Sequence, residues 1–350
     1  MHLLQTKSSM LAALVAGSIV LTACTDDGGP VTGLTASVET VPVASTDDAA
    51  DDPAIWVHPI NPGKSLILGT DKQAGLNVYR LDGSLQTFLP SGRLNNVDLR
   101  QNVQLPGFEG DLAAASNRSD DSITLFSVSA DQILELGRFP SLESEPYGLC
   151  TGMVDNSFTV FSTHKNGIVI AYRVDGPSEA SESGRYKFAS QLEGCVFDED
   201  NQVLYVGEEE YGIWRTTVSH DGFSTPTLVD RTGSETGLRA DVEGLSLYRR
   251  PNGGGYLVAS SQGNNSYVLY DRAGDNAFVT GFSITNNEAT GIDGTQETDG
   301  LAVTSMSLGA KFPNGLLVVQ DGINSPLGST QNFKFIDWRR IADLIDSFVN

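Results

Sequence analysis

Short runs in which apolar and polar residues alternate recur along most of this chain. Two clear examples are residues 76–81 (Leu-Asn-Val-Tyr-Arg-Leu) and residues 168–174 (Ile-Val-Ile-Ala-Tyr-Arg-Val). A period of two predicts β-strands that turn one face towards a core. The chain also contains 37 glycines and few long helical patterns, so we expect an all-β protein with tight turns.

A longer repeat is superimposed on this alternation. Six times, an acid or another polar residue stands just before an apolar run that often begins with a small residue. We call these segments the inner motifs, and they are Asp52-Pro53-Ala54-Ile55, Asn96-Val97-Asp98-Leu99, Tyr147-Gly148-Leu149-Cys150, Glu193-Gly194-Cys195-Val196, Glu243-Gly244-Leu245-Ser246 and Asp299-Gly300-Leu301-Ala302. Their spacings of 44, 51, 46, 50 and 56 residues match the length of a propeller blade. The repeat predicts a six-bladed β-propeller of four-stranded antiparallel blades.

Each inner motif is followed by a second β-rich run that ends in polar residues. These polar ends are Asp71-Lys72, Asn117-Arg118, His164-Lys165, Glu208-Glu209-Glu210, Gln262-Gly263 and Gln320-Asp321. Antiparallel pairing places the start of one strand beside the end of the next. We therefore expect all six inner motifs and polar ends at one opening of the central channel, which we call the mouth.

The two ends of the chain have patterns of their own. Near the C-terminus, Ile341, Leu344, Ile345 and Phe348 follow helical spacing after Asp337, a suitable N-cap, which predicts a short helix outside the propeller. At the N-terminus, Lys7 precedes an apolar run over residues 10–21, which is shorter than the ~20 residues of a membrane-spanning helix.

The end of that apolar run, Leu21-Thr22-Ala23-Cys24, resembles the lipobox of bacterial lipoproteins. It predicts a signal peptide over residues 1–23, lipid on Cys24, a lipid-attached tether over residues 24–46 and a propeller domain over residues 47–350. An ordinary secretory signal is the alternative. The lipoprotein interpretation implies an exported protein of the bacterial cell envelope that meets the membrane only through its lipid.

The chain is strongly acidic. Its net charge is −22, and loss of Lys7 with residues 1–23, which contain no acid, makes it −23. Such a charge disfavours nucleic acid and anionic lipid surfaces as partners and is compatible with several bound cations. With Cys24 lipidated, Cys150 and Cys195 remain, in adjacent inner motifs. An oxidising compartment would permit a disulfide, but we expect two buried free cysteines on inner strands.

The charges expected at the mouth are separated by sign. Lys72, Arg118 and Lys165 come from the first three repeats, whereas the last three supply Glu193, Glu208, Glu209, Glu210, Asp241, Glu243, Glu297 and Asp299. Crowded carboxylates need compensating cations, and such hard oxygen ligands suit calcium or magnesium. Divalent cations facing two lysines and an arginine form an arrangement for phosphate.

Several strings are similar to those of the β-propeller phytases. They are Asp51-Asp52-Pro53-Ala54-Ile55-Trp56, Leu94-Asn95-Asn96-Val97-Asp98-Leu99-Arg100, Ala114-Ala115-Ser116-Asn117-Arg118-Ser119, Asp241-Val242-Glu243-Gly244-Leu245, Leu257-Val258-Ala259-Ser260-Ser261-Gln262-Gly263-Asn264, Thr298-Asp299-Gly300, Gln331-Asn332-Phe333-Lys334 and Arg340-Ile341-Ala342-Asp343. The similarity extends from about residue 47 to residue 346. It implies calcium-dependent hydrolysis of phytate (myo-inositol hexakisphosphate) by metal-activated water, with a cleavage site and an adjacent affinity site.

The resemblance also implies residue roles. Phosphate contacts fall to Lys72, Arg118, Tyr147 and Lys165, and Glu208 is assigned to catalysis as well as to calcium. The cleavage-site calcium ligands are Asp51, Glu193, Glu208, Asp241, Glu243 and Asp299. Asp52, Pro53 and Val97 correspond to a separate structural calcium site, and Asp293 and Asp321 to further acidic positions. Two segments depart from the family pattern: Asn166 and the run Glu208-Glu209-Glu210-Tyr211. These departures concern the adjacent affinity site and the number of calcium ligands.

The leading hypothesis is a monomeric 3-phytase that binds several calcium ions and takes phytate as a calcium complex. Two alternatives stay open at this point. A six-bladed calcium lactonase would need one central calcium and gives Arg118 no role, so the change Arg118→Ala separates the two enzymes. A non-enzymatic envelope scaffold would hold only structural calcium and release no phosphate from phytate.

Overall fold

The computed structural model describes residues 32–325 and 329–349. The predicted signal peptide, Cys24 and the first part of the tether lie outside the described residues. Most of the described chain is β-strand, and one α-helix, α1 (Trp338–Val349), follows the last strand.

Two short strands, β1 (Thr32–Thr35) and β2 (Val38–Glu39), precede the first blade. Blade 1 contains β3 (Ala50–Trp56), β4 (Leu66–Asp71), β5 (Gly75–Arg80) and β6 (Leu85–Leu89). Blade 2 contains β7 (Leu94–Leu105), β8 (Phe108–Asn117), β9 (Ser122–Val128) and β10 (Ile133–Pro140). Blade 3 contains β11 (Pro146–Val154), β12 (Ser157–His164), β13 (Ile168–Gly176) and β14 (Glu179–Lys187).

Blade 4 contains β15 (Leu192–Asp198), β16 (Val203–Glu208), β17 (Gly212–Ser219), β18 (Gly222–Phe223) and β19 (Thr227–Arg231). Blade 5 contains β20 (Val242–Arg249), β21 (Gly255–Ser261), β22 (Ser266–Asp271) and β23 (Phe278–Thr285). Blade 6 contains β24 (Leu301–Thr304), β25 (Leu316–Asp321) and β26 (Asn332–Asp337).

The described strands form six sheets in chain order, antiparallel except for the pairing of β1, which confirms the predicted six-bladed propeller. Blade 6 takes its outer strand from the N-terminus, because β2 pairs with β26. β1 adds a fifth strand to blade 5 by parallel pairing with β23. Strand pairing thus begins before residue 47, where the sequence places the start of the propeller, and it closes the ring with chain from the predicted tether.

Alternating residues of each blade pack against the neighbouring blade. Between blades 1 and 2, for example, Trp56 and Leu68 join Ala113 and Phe126 in one cluster, and all four are at most 3% exposed. Burying an aromatic or branched side chain of this kind contributes about 1.5–3 kcal/mol. Similar clusters lie at the other five blade interfaces of the described structure, so the core is distributed around the ring.

The expectation of two free cysteines was wrong. Cys150 on β11 and Cys195 on β15 form a disulfide, with their Cα atoms 5.6 Å apart. Cys150 is the fourth residue of its inner motif and Cys195 is the third residue of the next one, and the inner strands β11 and β15 lie close enough to bring these two thiols together. The disulfide joins blades 3 and 4 next to the mouth.

The C-terminal helix is confirmed. Ile341, Leu344 and Ile345 are buried against blades 5 and 6, whereas Phe348 is 61% exposed. Asp337 caps the helix, since its Oδ1 accepts a hydrogen bond of 3.1 Å from the Arg339 backbone N–H. Among the described residues, α1 is too short and too polar to count as a membrane span.

Candidate active site at the channel mouth

A repeated β-bulge turns the inner motifs into the channel. The innermost strand of each of blades 1 to 5 shifts register against its neighbour at the motif, so that two residues oppose one. Such a bulge frees side chains from the ladder and changes their direction. The paired residues at these bulges are Asp51-Asp52, Asn95-Asn96, Tyr147-Gly148, Glu193-Gly194 and Glu243-Gly244.

Small residues in the motifs allow neighbouring inner strands to approach each other. A Cβ atom on Gly148 would lie 1.9 Å from the Glu193 carbonyl oxygen, and one on Gly194 would lie 2.1 Å from that of Glu243. Hydroxyl groups opposite the bulges then link adjacent blades. Thr163 Oγ1 donates to the Glu193 carbonyl at 2.5 Å. These contacts hold the motif carboxylates in a tight ring.

The mouth opens into a cavity of about 590 Å³. Its lining includes Lys72, Tyr147, Glu193, Glu209, Asp241, Glu243, Gln262 and Asp299, together with Asp48, Gly263, Asn265, Glu297 and Gln331. The ring thus brings Lys72 and Tyr147 from the first half of the chain to the carboxylates of the second half.

Lys72 connects the two halves directly. Its Nζ lies 2.7 Å from Asp48 Oδ1 and 3.1 Å from both Asp51 Oδ2 and Asp299 Oδ2. Burial lowers the pKa of Lys72, but attraction from Asp51 and Asp299 outweighs it and raises the pKa above its ordinary value. Lys72 therefore carries a positive charge at any physiological pH.

Three glutamates form the densest carboxylate cluster of the described chain. Glu193, Glu209 and Glu243 each place a ligand oxygen within 4.8 Å of the others. Burial is the main cause that raises the pKa of Glu193 to about 7. Burial and the neighbouring Glu193 raise the pKa of Glu243 well above its ordinary value, and burial and Asp51 do the same for Asp299.

The oxygen atoms of this cluster fit a hard cation. Asp51 Oδ1, Glu243 Oε2 and Asn95 Oδ1 are buried and accept no hydrogen bond. Buried polar oxygens without hydrogen-bond partners are unfavourable. Calcium takes six to eight oxygen ligands in a flexible geometry, and carboxylates with amide and backbone oxygens are the donor set present here.

Arg118, Tyr147 and Lys165 form a second group beside the carboxylates. Lys165 Nζ lies 4.3 Å from the centre of the Tyr147 ring, and the Arg118 guanidinium carbon lies 5.7 Å from it. Both distances are within the range of cation–π attraction. Burial and then Glu193 raise the pKa of Tyr147, so the phenol is neutral and can donate a hydrogen bond.

Glu208 does not face the mouth. Its Oε1 accepts hydrogen bonds of 2.7 Å from both the backbone N–H and the hydroxyl of Ser190, and its Oε2 accepts one of 2.8 Å from Trp214 Nε1. Successive side chains of a strand point to opposite faces, so Glu208 shares the inter-blade face of Leu204 and Val206. The next residue, Glu209, lines the cavity instead.

Asp52, Pro53 and Val97 lie deeper than the mouth. They line a narrow part of the channel with a volume of about 50 Å³. Asp52 Oδ2 accepts a hydrogen bond of 3.1 Å from the Val97 N–H. Burial and Asp51 raise the pKa of Asp52 well above its ordinary value. The structure thus groups these three residues apart from the cleavage-site set.

Asp293 and Asp321 do not lie at the mouth. Both contact the buried Lys334, whose Nζ is 3.3 Å from Asp321 Oδ2 and 2.6 Å from Glu39 Oε2, and pairs closely with Asp293. The lysine ammonium already compensates these carboxylates. The cluster ties the closing strand β2 to blade 6.

Sequence reasoning missed Asp48, Asn265 and Gln331 as residues that line the mouth. It also did not single out Asn95, whose Nδ2 donates to Glu193 Oε1 at 3.3 Å. Asp48 precedes the first motif and reaches Lys72 from an exposed loop, so no repeat marked it. Asn95 was hidden by the repeat alignment, which began at Asn96. For Glu209, the sequence did contain a signal. Leu204 and Val206 alternate as core residues, which places Glu208 on their face of the strand and Glu209 on the opposite face.

Comparisons with known proteins agree with this geometry. A 3-phytase of Bacillus subtilis (strain 168) is 43% identical over 329 residues, which covers 88% of this chain and 84% of that protein. A solved chain from the crystal structure of BBS1N in complex with ARL6DN, soaked with lead, superposes with a TM-score of 0.50 at 11% identity, covering 81% of this chain and 78% of the other, and this likeness concerns the fold alone. The family model described as Phytase matches residues 2–350. The chain belongs to the phytase family, and it hydrolyses phytate.

Proposed function

We propose that the mouth hydrolyses phytate with calcium as the required cofactor, and that the chain is a 3-phytase like its Bacillus relative. One observation supports this above the others: Lys72, Arg118 and Lys165 stand beside a carboxylate cluster whose buried oxygens lack partners. A phosphate group can bridge such cations and a metal cluster, whereas neither half of the mouth would hold it alone.

The calcium ligands we propose are Asp51, Glu193, Glu209, Asp241, Glu243 and Asp299, with Glu209 in the place assigned to Glu208. Bound calcium would neutralise the carboxylates, hold phosphoryl oxygens and acidify a water molecule. Asp52, Pro53 and Val97 are proposed to hold a separate structural ion. Asp293 and Asp321 are left out of the calcium set because they surround Lys334 and do not line the mouth cavity.

The protein groups have distinct roles in this proposal. Lys72, fixed between Asp51 and Asp299, neutralises charge on the phosphate that is cleaved. Arg118 and Lys165 flank Tyr147 and bind phosphates at the rim, and the neutral phenol of Tyr147 donates a hydrogen bond. Because the mature chain carries a charge of −23, we propose that phytate enters as its calcium complex.

We further propose that the protein acts as a monomer held at the bacterial cell envelope by lipid on Cys24. The support is the string Leu21-Thr22-Ala23-Cys24 and the Cys150–Cys195 disulfide, which is typical of an oxidising compartment. Mass spectrometry of the mature N-terminus tests the lipid directly.

The central experiment measures phosphate release from phytate after exhaustive chelation and again after calcium is restored. We expect release to vanish with the chelator and to return with calcium. Undiminished release from the chelated protein would overturn the calcium proposal. Arg118→Ala, compared with the exposed Arg93→Ala at the same end, tests the phosphate-binding rim.

A further inference from the structure

The central channel widens again at the end opposite the mouth, which we call the base. The base cavity has a volume of about 500 Å³, a size typical of small-molecule sites. Arg249 and Thr304, which line it, are the last residues of the inner strands β20 and β24, whereas the mouth residues Glu243 and Asp299 lie near the starts of those strands. No described residue lines both cavities, so the base cavity is a space separate from the mouth.

Apolar side chains make up much of the wall of the base cavity. Ile55, Leu99, Phe197 and Leu247 line it, together with Met306, which is 59% exposed. Apolar surface in a cavity gains free energy when an apolar group of a ligand covers it. The wall therefore favours a ligand with an apolar body.

Arg249 brings an uncompensated positive charge to this wall. Its Nη2 donates a hydrogen bond of 2.6 Å to the Phe197 carbonyl oxygen, but its Nε is buried and has no hydrogen-bond partner. In the described part of the chain, no carboxylate oxygen lies within 4.0 Å of its guanidinium nitrogens. A guanidinium has five N–H donors, and a buried charge is costly unless it is paired. Arg249 thus lacks a counter-ion.

The acidic groups that attract Arg249 most strongly are already paired with another arginine. Burial lowers the pKa of Arg249, and attraction from Asp198 and Asp200 offsets this only in part. Arg272 holds both acids, because its Nε lies 2.7 Å from Asp198 Oδ2 and its Nη2 lies 2.5 Å from Asp198 Oδ1 and from Asp200 Oδ2. Arg272 therefore neutralises much of this acidic pair and leaves Arg249 without a carboxylate of its own.

The two acids in the cavity wall are engaged in a similar way. Asp98 Oδ2 accepts hydrogen bonds of 2.7 and 2.8 Å from the N–H and the hydroxyl of Thr151. Glu199 pairs with Arg100, whose Nε lies 2.6 Å from Glu199 Oε1. Burial and repulsion from Arg249 lower the pKa of Arg100 to about 10, so Arg100 stays charged at neutral pH. An anion in the cavity would relieve the repulsion between the two arginines.

We propose that the base cavity binds a small organic anion, whose charged group pairs with Arg249 and whose apolar body covers the apolar wall. A guanidinium fork binds a carboxylate or phosphate group through two parallel hydrogen bonds. A ligand with one anionic group fits better than phytate, because two carboxylates share the wall. The inference goes beyond phytate hydrolysis and does not depend on it, since the two cavities have separate linings.

The test uses the calcium-loaded chain and three probes. 3-Phenylpropionate has an apolar body and one carboxylate, 3-phenylpropanamide has nearly the same shape without the charge, and inorganic phosphate has charge without an apolar body. Ligand-observed NMR titration measures the affinity of each probe. We expect 3-phenylpropionate to bind at least tenfold more tightly than the amide, in the original chain and equally in Arg118→Ala, which changes only the mouth.

Three outcomes of these titrations would overturn the proposal. The first is equal affinity for 3-phenylpropionate and its amide, which would leave the charge without a role. The second is loss of 3-phenylpropionate binding in Arg118→Ala, which would place this probe at the mouth. The third is tighter binding of inorganic phosphate than of 3-phenylpropionate in the Arg118→Ala chain, which would exclude a role for the apolar wall.

Replacement of Arg249 locates the binding site. Arg249→Met removes the charge and keeps a long side chain, and the matched control Arg250→Met removes the exposed arginine next to it. Affinity for 3-phenylpropionate should fall at least tenfold in Arg249→Met and less than twofold in Arg250→Met. Because no ion pair offsets the burial of Arg249, the melting temperature without ligand should stay unchanged or rise in Arg249→Met. Equal affinities of the two variants would contradict the site.

A second variant leaves both arginines in place and decides the question even if Arg249→Met fails to fold. Ala302 lines the cavity, and Ala302→Leu should fill part of it and reduce the affinity for 3-phenylpropionate at least tenfold. At a concentration well above its Kd, 3-phenylpropionate should raise the melting temperature of the original chain by more than that of this variant. Undiminished affinity in Ala302→Leu would place the ligand outside the base cavity and overturn the proposal.

Discussion

Adjacent glutamates on β16 allow a sharp test of the site. Glu209 lines the mouth, whereas Glu208 is 1% exposed and accepts three hydrogen bonds from Ser190 and Trp214. The two changes Glu209→Gln and Glu208→Gln remove the same charge one residue apart. The structure predicts that they damage different properties of the enzyme.

For Glu208→Gln, the new amide must turn its NH₂ group towards at least one donor. A lost hydrogen bond to a charged group costs about 1.5–3 kcal/mol, and a buried unsatisfied donor adds a further ~1–3 kcal/mol. We therefore expect the free energy of unfolding to fall by roughly 3–5 kcal/mol, which lowers the melting temperature by several degrees. The calcium affinity of the folded protein should stay within about twofold of the original.

For Glu209→Gln, one carboxylate leaves the cluster with Glu193 and Glu243. Relief of repulsion keeps the melting temperature of the calcium-free protein unchanged or raises it, because burial and Asp241 help to raise the pKa of Glu209. Calcium affinity should fall at least tenfold, or about 1.4 kcal/mol, and phosphate release should require correspondingly more calcium.

The assay combines calcium titration of phosphate release with thermal unfolding in chelator, and the exposed Glu210→Gln serves as the control for loss of one charge. The contrary outcome is that Glu208→Gln abolishes calcium-dependent phosphate release at unchanged stability while Glu209→Gln leaves that release intact. It would show that Glu208, not Glu209, faces the mouth, and our interpretation of which β16 side chains face the core would be wrong.

Three further predictions follow from the same structure. Arg118→Ala should raise the KM for phytate at least tenfold, in steady-state assays where Arg93→Ala changes it less than twofold; similar values for both would remove Arg118 from the rim. Replacing Cys150 and Cys195 by alanine should lower stability by about 4 kcal/mol, since the disulfide closes 45 residues; free thiols at both positions in the exported protein would exclude that role. In chelator, stability should decline from about pH 4.5 to pH 7, because the folded protein holds the Glu193 proton up to a pKa of about 7 and the stabilisation present at low pH is lost as that proton leaves. The decline should amount to roughly 3 kcal/mol for this group and should disappear with calcium; a flat profile in chelator would contradict it.

Much of the fold could be predicted from the chain because each level of the pattern repeats. Period-two alternation identifies the strands, and the recurring inner motif identifies the blades. The bulge behind that motif explains why the repeat includes a small residue: the inner strands meet so closely that a Cβ atom on Gly148 would collide with the Glu193 carbonyl. The close approach of the inner strands requires glycine at this position in blades 3 to 6, whereas Asp52 and Asn96 occupy it in blades 1 and 2.

What could not be predicted depends on contacts between distant repeats. Lys334 gathers Asp293 and Asp321 with Glu39 from the N-terminal strand, and no local pattern shows that a lysine takes the centre of that acidic group. The pairing of Cys150 with Cys195 likewise depends on how closely neighbouring blades converge. Glu208 was different, since strand alternation already placed it with the core.

The site also depends on how the ring is closed. Lys72 belongs to blade 1, whereas Asp299 introduces blade 6, and their 3.1 Å contact crosses the seam between the two ends of the propeller. Two buried glutamines hold the same seam: Gln320 accepts the Asp299 N–H at 2.8 Å and donates to the Ala50 carbonyl at 3.2 Å, and Gln331 accepts the Ala49 and Ala50 N–H groups at 2.7 and 2.8 Å.

Because Asp51 and Asp299 approach each other only across this seam, Asp51 is separated from the other five proposed calcium ligands until blade 6 meets blade 1. β2 completes blade 6 and thereby holds the seam shut. We therefore expect this segment, which the sequence assigns to the tether, to be needed for assembling the proposed metal site, and cations that bind across the seam should in turn stabilise the closed ring.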